Sequence, residues 1–214
     1  CPRLIPRKGL LIFTEMSQHF SISEDRAQVT LENDGHGHHV SHIALCSDLV
    51  ISNGKSCAEF AVVSSGHAVG IVIGVSRPTL DAMSSAHVSW NWKDFRSKSW
   101  GMDLSDGMLL HAEDEVAWTG MQEIREGDTV RMLLDVDAGT LTVKKNGIVL
   151  GTAVSFEGPT GDLCWAVCAH SPVEQRIRIK AVDPAEFYVA LRNTCTAMYN
   201  LAISFSVATL FERT

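Results

Sequence analysis

His36, His38, His39 and His42 place four imidazoles within seven residues. Neutral imidazole is a ligand for zinc, copper or nickel. A charge that changes near neutrality is the other chemistry such a cluster offers. The spacers are glycine-rich, and no carboxylate or thiol stands at ligand spacing, which weighs against a structural metal. The first reading is therefore an exposed loop tip with pH-sensitive charge. A metal-dependent enzyme built on His36–His42 is the rival from another class.

Three other fragments resemble chemical motifs and fail on spacing. Asn53-Gly54-Lys55-Ser56 ends like a phosphate loop, but the first glycine such a loop requires falls at Leu49. Gly35-His36-Gly37 opens like a dinucleotide fingerprint, then has Val40 where the third glycine belongs and no βαβ context. Asp135, Asp137 and Gly139 begin like a calcium loop, but Thr140 occupies the sixth position and Asn146 the twelfth. There is no G-x-S-x-G and no H-E-x-x-H. The sequence supports no catalytic function and no cofactor.

The elements that would position these residues are short strands. Val130, Met132, Leu134 and Val136 alternate with neighbours of the opposite face, the period of a strand. Asp137-Ala138-Gly139 turns the chain, Leu141 and Val143 alternate again, and Asn146-Gly147 is a strong type I′ hairpin signal. The same grammar predicts strands at Phe20–Ile22, Gln28–Leu31, His42–Cys46, Ala58–Val63, Gly70–Val75, Gly101–Leu104, Met108–His111, Cys164–Ala169 and Gln175–Lys180. Many short strands separated by turn residues mean an all-β, two-layer antiparallel β-sandwich or a barrel. Residues 76–100 form the longest irregular connection, the place where binding is expected on a rigid scaffold.

The tail changes character. Asp183-Pro184-Ala185-Glu186 reads as an N-cap, a proline at the first helical position and an early acid. Phe187, Leu191, Cys195, Met198 and Ala202 follow at helical spacing, predicting a C-terminal helix over about 184–201. The sandwich is assigned to 1–182 and the helical tail to 183–214. The uncharged run 194–211 is read as a packed helix and extended end, in preference to a membrane span or a mis-assembled gene model.

Composition sets the bounds. The 214 residues are 45% hydrophobic and 20% charged, a globular balance. A net charge of -7 argues against nucleic acid as partner. The basic cluster Lys93, Arg96 and Lys98 and the acidic cluster Glu113-Asp114-Glu115 are read as solvated loops. Six cysteines with no C-x-x-C, and no N-x-[ST] acceptor, point to a reduced cytoplasmic or nuclear compartment. The chain opens on Cys1 with no signal peptide, the expectation for a fragment. Trp100, Trp118 and Trp165 are expected in the core. Trp90 and Trp92, in the long connection, are either a core cap or an exposed anchor for a partner.

Several segments together resemble one family. "WGMDLSDGMLLH" (100–111) is similar to the W-G-x-D…G…H strand pair of SPRY domains, and "EGDTVRMLLDVDAGTLTVKKNGIVLG" (126–151) to their G-D-x-[VI]…L-D…N-G block. "SNGKSCAEFAV" before "GIVIGVSRP" fits the next pattern, with Cys57-Ala58 replacing the usual aromatic pair before Glu59. The likeness spans about residues 10–180. It implies a concanavalin-like sandwich that binds a short peptide of a partner protein through its loops, without chemistry of its own. The nearest look-alikes carry a SOCS box after the SPRY domain, which implies a substrate receptor of a cullin–RING ubiquitin ligase. Leu191 and Cys195 would then meet elongins B and C, although Tyr199 breaks the pattern. The site the resemblance implies takes Asn33, Asp34, His36, His38 and His39 from the first loop and Arg77, Pro78, Trp90 and Trp92 from the long connection. His170, Ser171 and Pro172 complete it, with Trp90 as the apolar anchor.

Overall fold

The computed structural model describes residues 11–17, 19–32, 42–64, 70–79, 97–111, 114–153, 159–169 and 174–188. Their strands form two seven-stranded sheets. Sheet A runs, edge to edge, β1 (Glu15–Met16), β4 (His42–Leu45), β13 (Cys164–Ala169), β6 (Ile71–Ser76), β7 (Ser99–Asp103), β8 (Leu109–His111) and β9 (Asp114–Val116). Sheet B runs β12 (Ile148–Ala153), β11 (Thr140–Lys145), β10 (Thr129–Asp135), β5 (Lys55–Ser64), β14 (Gln175–Val182), β3 (Gln28–Leu31) and β2 (Phe20–Ile22). Every pairing is antiparallel, the two-layer sandwich expected from the turn chemistry.

The β10–β11–β12 meander forms for the local reasons its sequence states. Asn146 and Gly147 hold φ of 49° and 83°, the left-handed pair a type I′ turn needs. The Asn146 carboxamide then braces the hairpin, its Oδ1 accepting from the Thr129 amide at 2.9 Å and its Nδ2 donating to Asp128 at 2.7 Å. At the preceding turn Asp135 accepts the Ala138 amide at 3.1 Å.

Alternation sends one face of each sheet inward. Phe60, Met132, Leu134, Val143, Ile177 and Ile179 of sheet B meet Ile73, Val75, Met102, Trp165 and Val167 of sheet A in one buried cluster. Trp165 is completely buried, edge-on to Phe60 at 5.9 Å, and its indole donates to Ser56 Oγ at 3.2 Å, so the one polar atom of the ring is satisfied. Trp100 is also in this cluster; Trp118, expected in the core, is only half-buried and packs against the cluster from its edge.

The outer face of sheet A is buried as well. Ile43, Leu45, Val72, Leu110, Cys164, Ala166 and Cys168 form a second apolar layer there. Burial on both faces explains why β4, β6 and β13 read as near-continuous apolar runs where β10 and β14 alternate. Cys46, Cys57, Cys164 and Cys168 are free thiols.

Two local expectations need correction. Asp114 and Glu115 do not lie in a loop; they belong to β9, which pairs with β8 in the register Leu109↔Val116 and His111↔Asp114. β9 is the rim strand of sheet A, and charged residues there oppose further strand addition. The two-residue β1 was not anticipated. The tail helix begins where its capping signal placed it: 184–188 are helical, and Asp183 Oδ1 accepts the Ala185 amide at 2.8 Å. Its expected continuation to 201, with Leu191 and Cys195 and the run 194–211, lies outside the described residues. Among the described residues no helix is long and apolar enough to cross a membrane.

Candidate functional site

The strand order decides which connections share an end of the sandwich. β3 of sheet B leads through 33–41 to β4 of sheet A, β5 leads through 65–69 to β6, and β13 returns through 170–173 to β14. Cross-strand pairs align the roots of all three. Ala169 stands opposite both His42 and Ile71 in sheet A, while Gln175 faces Leu31 and Arg176 faces Ser64 in sheet B. These three inter-sheet crossings therefore have their roots at one rim, which the crossing from β1 to β2 shares. Asn33, Asp34, His36, His38, His39, His170, Ser171 and Pro172 belong to two of these crossings, and the residues themselves lie outside the described set.

The floor beneath that rim is polar and packed. His42, at the start of β4, is 2% exposed and lies edge-on to His19 at 4.7 Å and to Phe20 at 6.3 Å. Gln175, the first residue of β14, is equally buried. Ser17 beside them is held by its hydroxyl, which accepts the Ile43 amide at 2.9 Å. His42 is thus a packed strand residue and not part of an exposed loop tip, while His36, His38 and His39 lie outside the described residues. Its place in the apolar run His42–Cys46 was the available signal. His19 and Gln175 were not singled out, because nothing local marks either.

Arg77 and Pro78 stand at the opposite end of sheet A. Ser76 pairs with Ser99 on one side and Cys164 on the other, so the 77–98 connection is rooted a full strand length, roughly 17 Å at the usual rise, from Ile71 and Ala169. Arg77 is engaged there. Its amide donates to Lys98 O at 2.8 Å, its guanidinium donates to Thr160 O and lies 5.2 Å from the Trp100 ring, and Trp100 in turn stacks on His111 at 4.4 Å. The His111 ring is oriented by a 2.8 Å hydrogen bond with Ser99 O. The structure does not bring Arg77 and Pro78 to the roots of the other predicted loops. Trp90 and Trp92 lie outside the described residues.

The motif fragments and thiols have structural work. Lys55 pairs with Asp135 at 2.6 Å, and the Gly54 amide donates to Asp137 at 3.1 Å, so the phosphate-loop and calcium-loop fragments are turned on each other. Burial pushes the Cys57 and Cys164 thiols up to about 12, and drives Cys46 and Cys168 higher still, which removes thiolate character from all four. Among the described residues no group of three or more His, Cys, Asp or Glu is placed to hold a metal ion. The charges on the outer face of sheet B satisfy one another: Glu59 takes both Arg131 and Lys180, Asp25 takes Arg178, and Glu174 takes Arg176. Burial alone would raise the Glu59 carboxyl, but the hydrogen bonds from Lys180 and Arg131 outweigh it and hold the group below its ordinary range.

Comparison with known proteins agrees with this architecture. The chain is 32% identical over 89 residues to F-box/SPRY domain-containing protein 1 of Anopheles gambiae, an alignment covering 40% of this chain and 34% of that protein. It therefore spans about a third of that relative's length. Among solved structures, the SPRY domain of human HERC1 superposes with a TM-score of 0.60 at 22% identity, covering 80% of this chain and 98% of that one. The PSpry domain of TRIM65 gives 0.57 at 17% identity, covering 82% and 93%. These two establish the fold. The SPRY domain family model matches residues 59–181, from Glu59 on β5 to Ala181 near the end of β14. With more than half its length matched, the chain belongs to the SPRY domain family, a family of protein-interaction modules.

Proposed function

We propose that the chain binds a short peptide segment of a partner protein in the rim formed by 33–41, 65–69 and 170–173, without catalysing a reaction on it. The observation that supports this reading is that the strand ends rooting these connections meet at one rim, beside the β1–β2 crossing and over a packed floor. Loops on a rigid sandwich supply adaptable contacts at fixed positions, which suits recognition. Asn33, Asp34, His36, His38 and His39 would supply polar contacts, and His170, Ser171 and Pro172 the facing wall. Trp90 is thirteen positions beyond Arg77, ample chain to return across roughly 17 Å, so its indole is retained as the apolar anchor, with Trp92 beside it. The net charge of -7 leaves protein a better partner than nucleic acid.

A peptide-display selection tests this reading, comparing the parent with Trp90→Ala and with His36→Ala/His38→Ala/His39→Ala. Loss of most selected binders in either variant supports it. Equal binding by all three proteins removes the rim. Five of the nine histidines, at 36, 38, 39, 67 and 170, belong to these crossings. Affinity is therefore expected to change between pH 6 and 8, by on the order of tenfold for each linked unit of pKa shift.

A second reading, substrate receptor of a ubiquitin ligase, is favoured by the F-box/SPRY relative and by the helix start directly after β14. In it, Leu191 and Cys195 contact elongins B and C. Co-purification of both elongins, lost on Leu191→Ala/Cys195→Ala, is the expected result; a chain that captures neither excludes this route.

A further inference from the structure

Phe187 is 1% exposed although it lies outside both sheets. It packs on the outer face of sheet B with Cys57, Leu133 and Val182. These three come from adjacent strands in direct register, Leu133 opposite Cys57 and Val182 opposite Cys57 on its other side, so they form one short apolar row. The next row of the same face is charged: Lys144 stands opposite Arg131, Arg131 opposite Glu59, and Glu59 opposite Lys180. Glu59 is taken by Arg131 and Lys180. Lys144 turns instead to the tail, where its ammonium donates to Phe187 O and lies 4.1 Å from the Phe187 ring centroid. It is 2% exposed.

We propose that these two rows form a socket for the residue-187 side chain and carbonyl, and that residues 184–188 are a latch able to leave it while the sandwich stays folded. The contacts divide as a latch requires. Phe187 is fixed by apolar burial on one side and by an amine–carbonyl bond at the C-terminal end of the short helix on the other, where the carbonyl dipoles favour a cation. Next to it Tyr188 is 40% exposed, held by the Lys55 ammonium 5.8 Å from its ring and a 3.4 Å hydrogen bond to its hydroxyl. Five residues anchored by one buried ring make a unit of low local stability, of the kind that opens ahead of the whole fold. Opening would uncover the Cys57 thiol, the Lys144 amine and Leu133 together. That is an aromatic-accepting patch on the side of the sandwich away from sheet A. The inference concerns the outer face of sheet B and does not rest on the peptide-binding rim.

Cys57 reports the latch. The 214-residue chain is labelled with a small maleimide and the modified cysteines are located by mass spectrometry, for the parent, Phe187→Ala and Phe187→Leu. The expected result is that Phe187→Ala speeds labelling of Cys57 by tenfold or more, that Phe187→Leu restores most of the protection, and that Cys46, Cys164 and Cys168 stay protected in all three. Unchanged protection of Cys57 in Phe187→Ala would overturn the proposal, because something other than the ring covers the thiol. Labelling of all four buried cysteines together would overturn it too, because the ring would then belong to the global fold. If Phe187→Ala does not fold, the parent alone decides. Through low urea concentrations Cys57 labelling that is independent of urea marks local opening, whereas Cys57 rising in step with Cys46 marks global unfolding only.

Discussion

Gly74→Ala should be among the most damaging single substitutions in this chain, for reasons of space and not of backbone conformation. Gly74 of β6 stands opposite Gly101 of β7. A Cβ on Gly74 would lie 2.1 Å from the Trp100 carbonyl oxygen and 2.6 Å from the Gly101 Cα, where ordinary contacts begin near about 3.5 Å. Both obstacles are backbone, so neither can rotate away. The strands must part by about 1 Å or more, along a ladder five residue pairs long. With net stabilisation of about 1 kcal/mol per hydrogen bond lost and overpacking of about 1–3 kcal/mol, the total comes to about 4 kcal/mol or more. That is a large part of the roughly 5–15 kcal/mol a domain has. The entropy alanine removes from the unfolded chain acts the other way, but only by about 0.4–1 kcal/mol. Gly101→Ala should be milder, about 1–3 kcal/mol, because its nearest obstacle is Val72 Cγ1 at 2.6 Å, with Ile73 O at 3.0 Å. Removing that methyl in Val72→Ala/Gly101→Ala should make the double variant cheaper than the sum of the singles by about 1 kcal/mol. Urea denaturation followed by tryptophan fluorescence measures the parent, the three single variants Gly74→Ala, Gly101→Ala and Val72→Ala, and the double variant. Gly74→Ala within about 1 kcal/mol of the parent, or a strictly additive double variant, would refute the steric argument.

Three further outcomes follow from the same geometry. Glu59→Gln should cost about 1–2 kcal/mol at pH 7, since its partners are partly solvated. Because the folded carboxyl lies below its ordinary range, its contribution is present above about pH 4.3 and lost as pH falls through the folded value. Parent and variant stabilities should therefore converge as pH falls below that range in urea titrations. Gly147→Ala meets no atom within 4 Å yet must hold φ of +83°, so it should cost about 1 kcal/mol from backbone strain alone and lower Tm by about 2–4 °C in a thermal melt. Arg77→Ala should cost less than about 1 kcal/mol of stability, yet weaken peptides selected through Trp90, as isothermal titration would read, because the guanidinium ties the root of the long connection to Trp100 and Thr160.

Much of the fold was legible because its signals are local. Asn146-Gly147 turns where its φ preferences say, and β10 and β14 alternate because one face is wet. The glycines of "GIVIGVSRP" and "WGMD" were matched as motif letters; only the ladder gives their physical reason, a mutual approach too close for any side chain. The acidic pair Asp114-Glu115 misled because charge is a poor guide at a sheet edge, where an unpaired rim welcomes it. The Glu59 triad draws on β5, β10 and β14, residues up to about 120 positions apart, and such non-local register leaves no trace in spacing.

The site was legible in residue type and not in placement, and topology explains the difference. A connection between strands of the same sheet stays over that sheet, as Asn146-Gly147 does. A connection that changes sheet must cross a mouth of the sandwich, and four of them, β1 to β2, β3 to β4, β5 to β6 and β13 to β14, have their roots at one mouth. That arrangement brings together strand ends from distant stretches of sequence, among them Leu31, His42, Ser64, Ile71, Ala169 and Gln175. It also sends the 77–98 connection to the other end, since β6 and β7 are adjacent antiparallel strands of one sheet. On the proposed reading, a peptide at the rim meets the connections rooted there first. Any indole supplied by the long connection has to return along the strands, with Arg77, clasped to Trp100, fixing the point from which it starts.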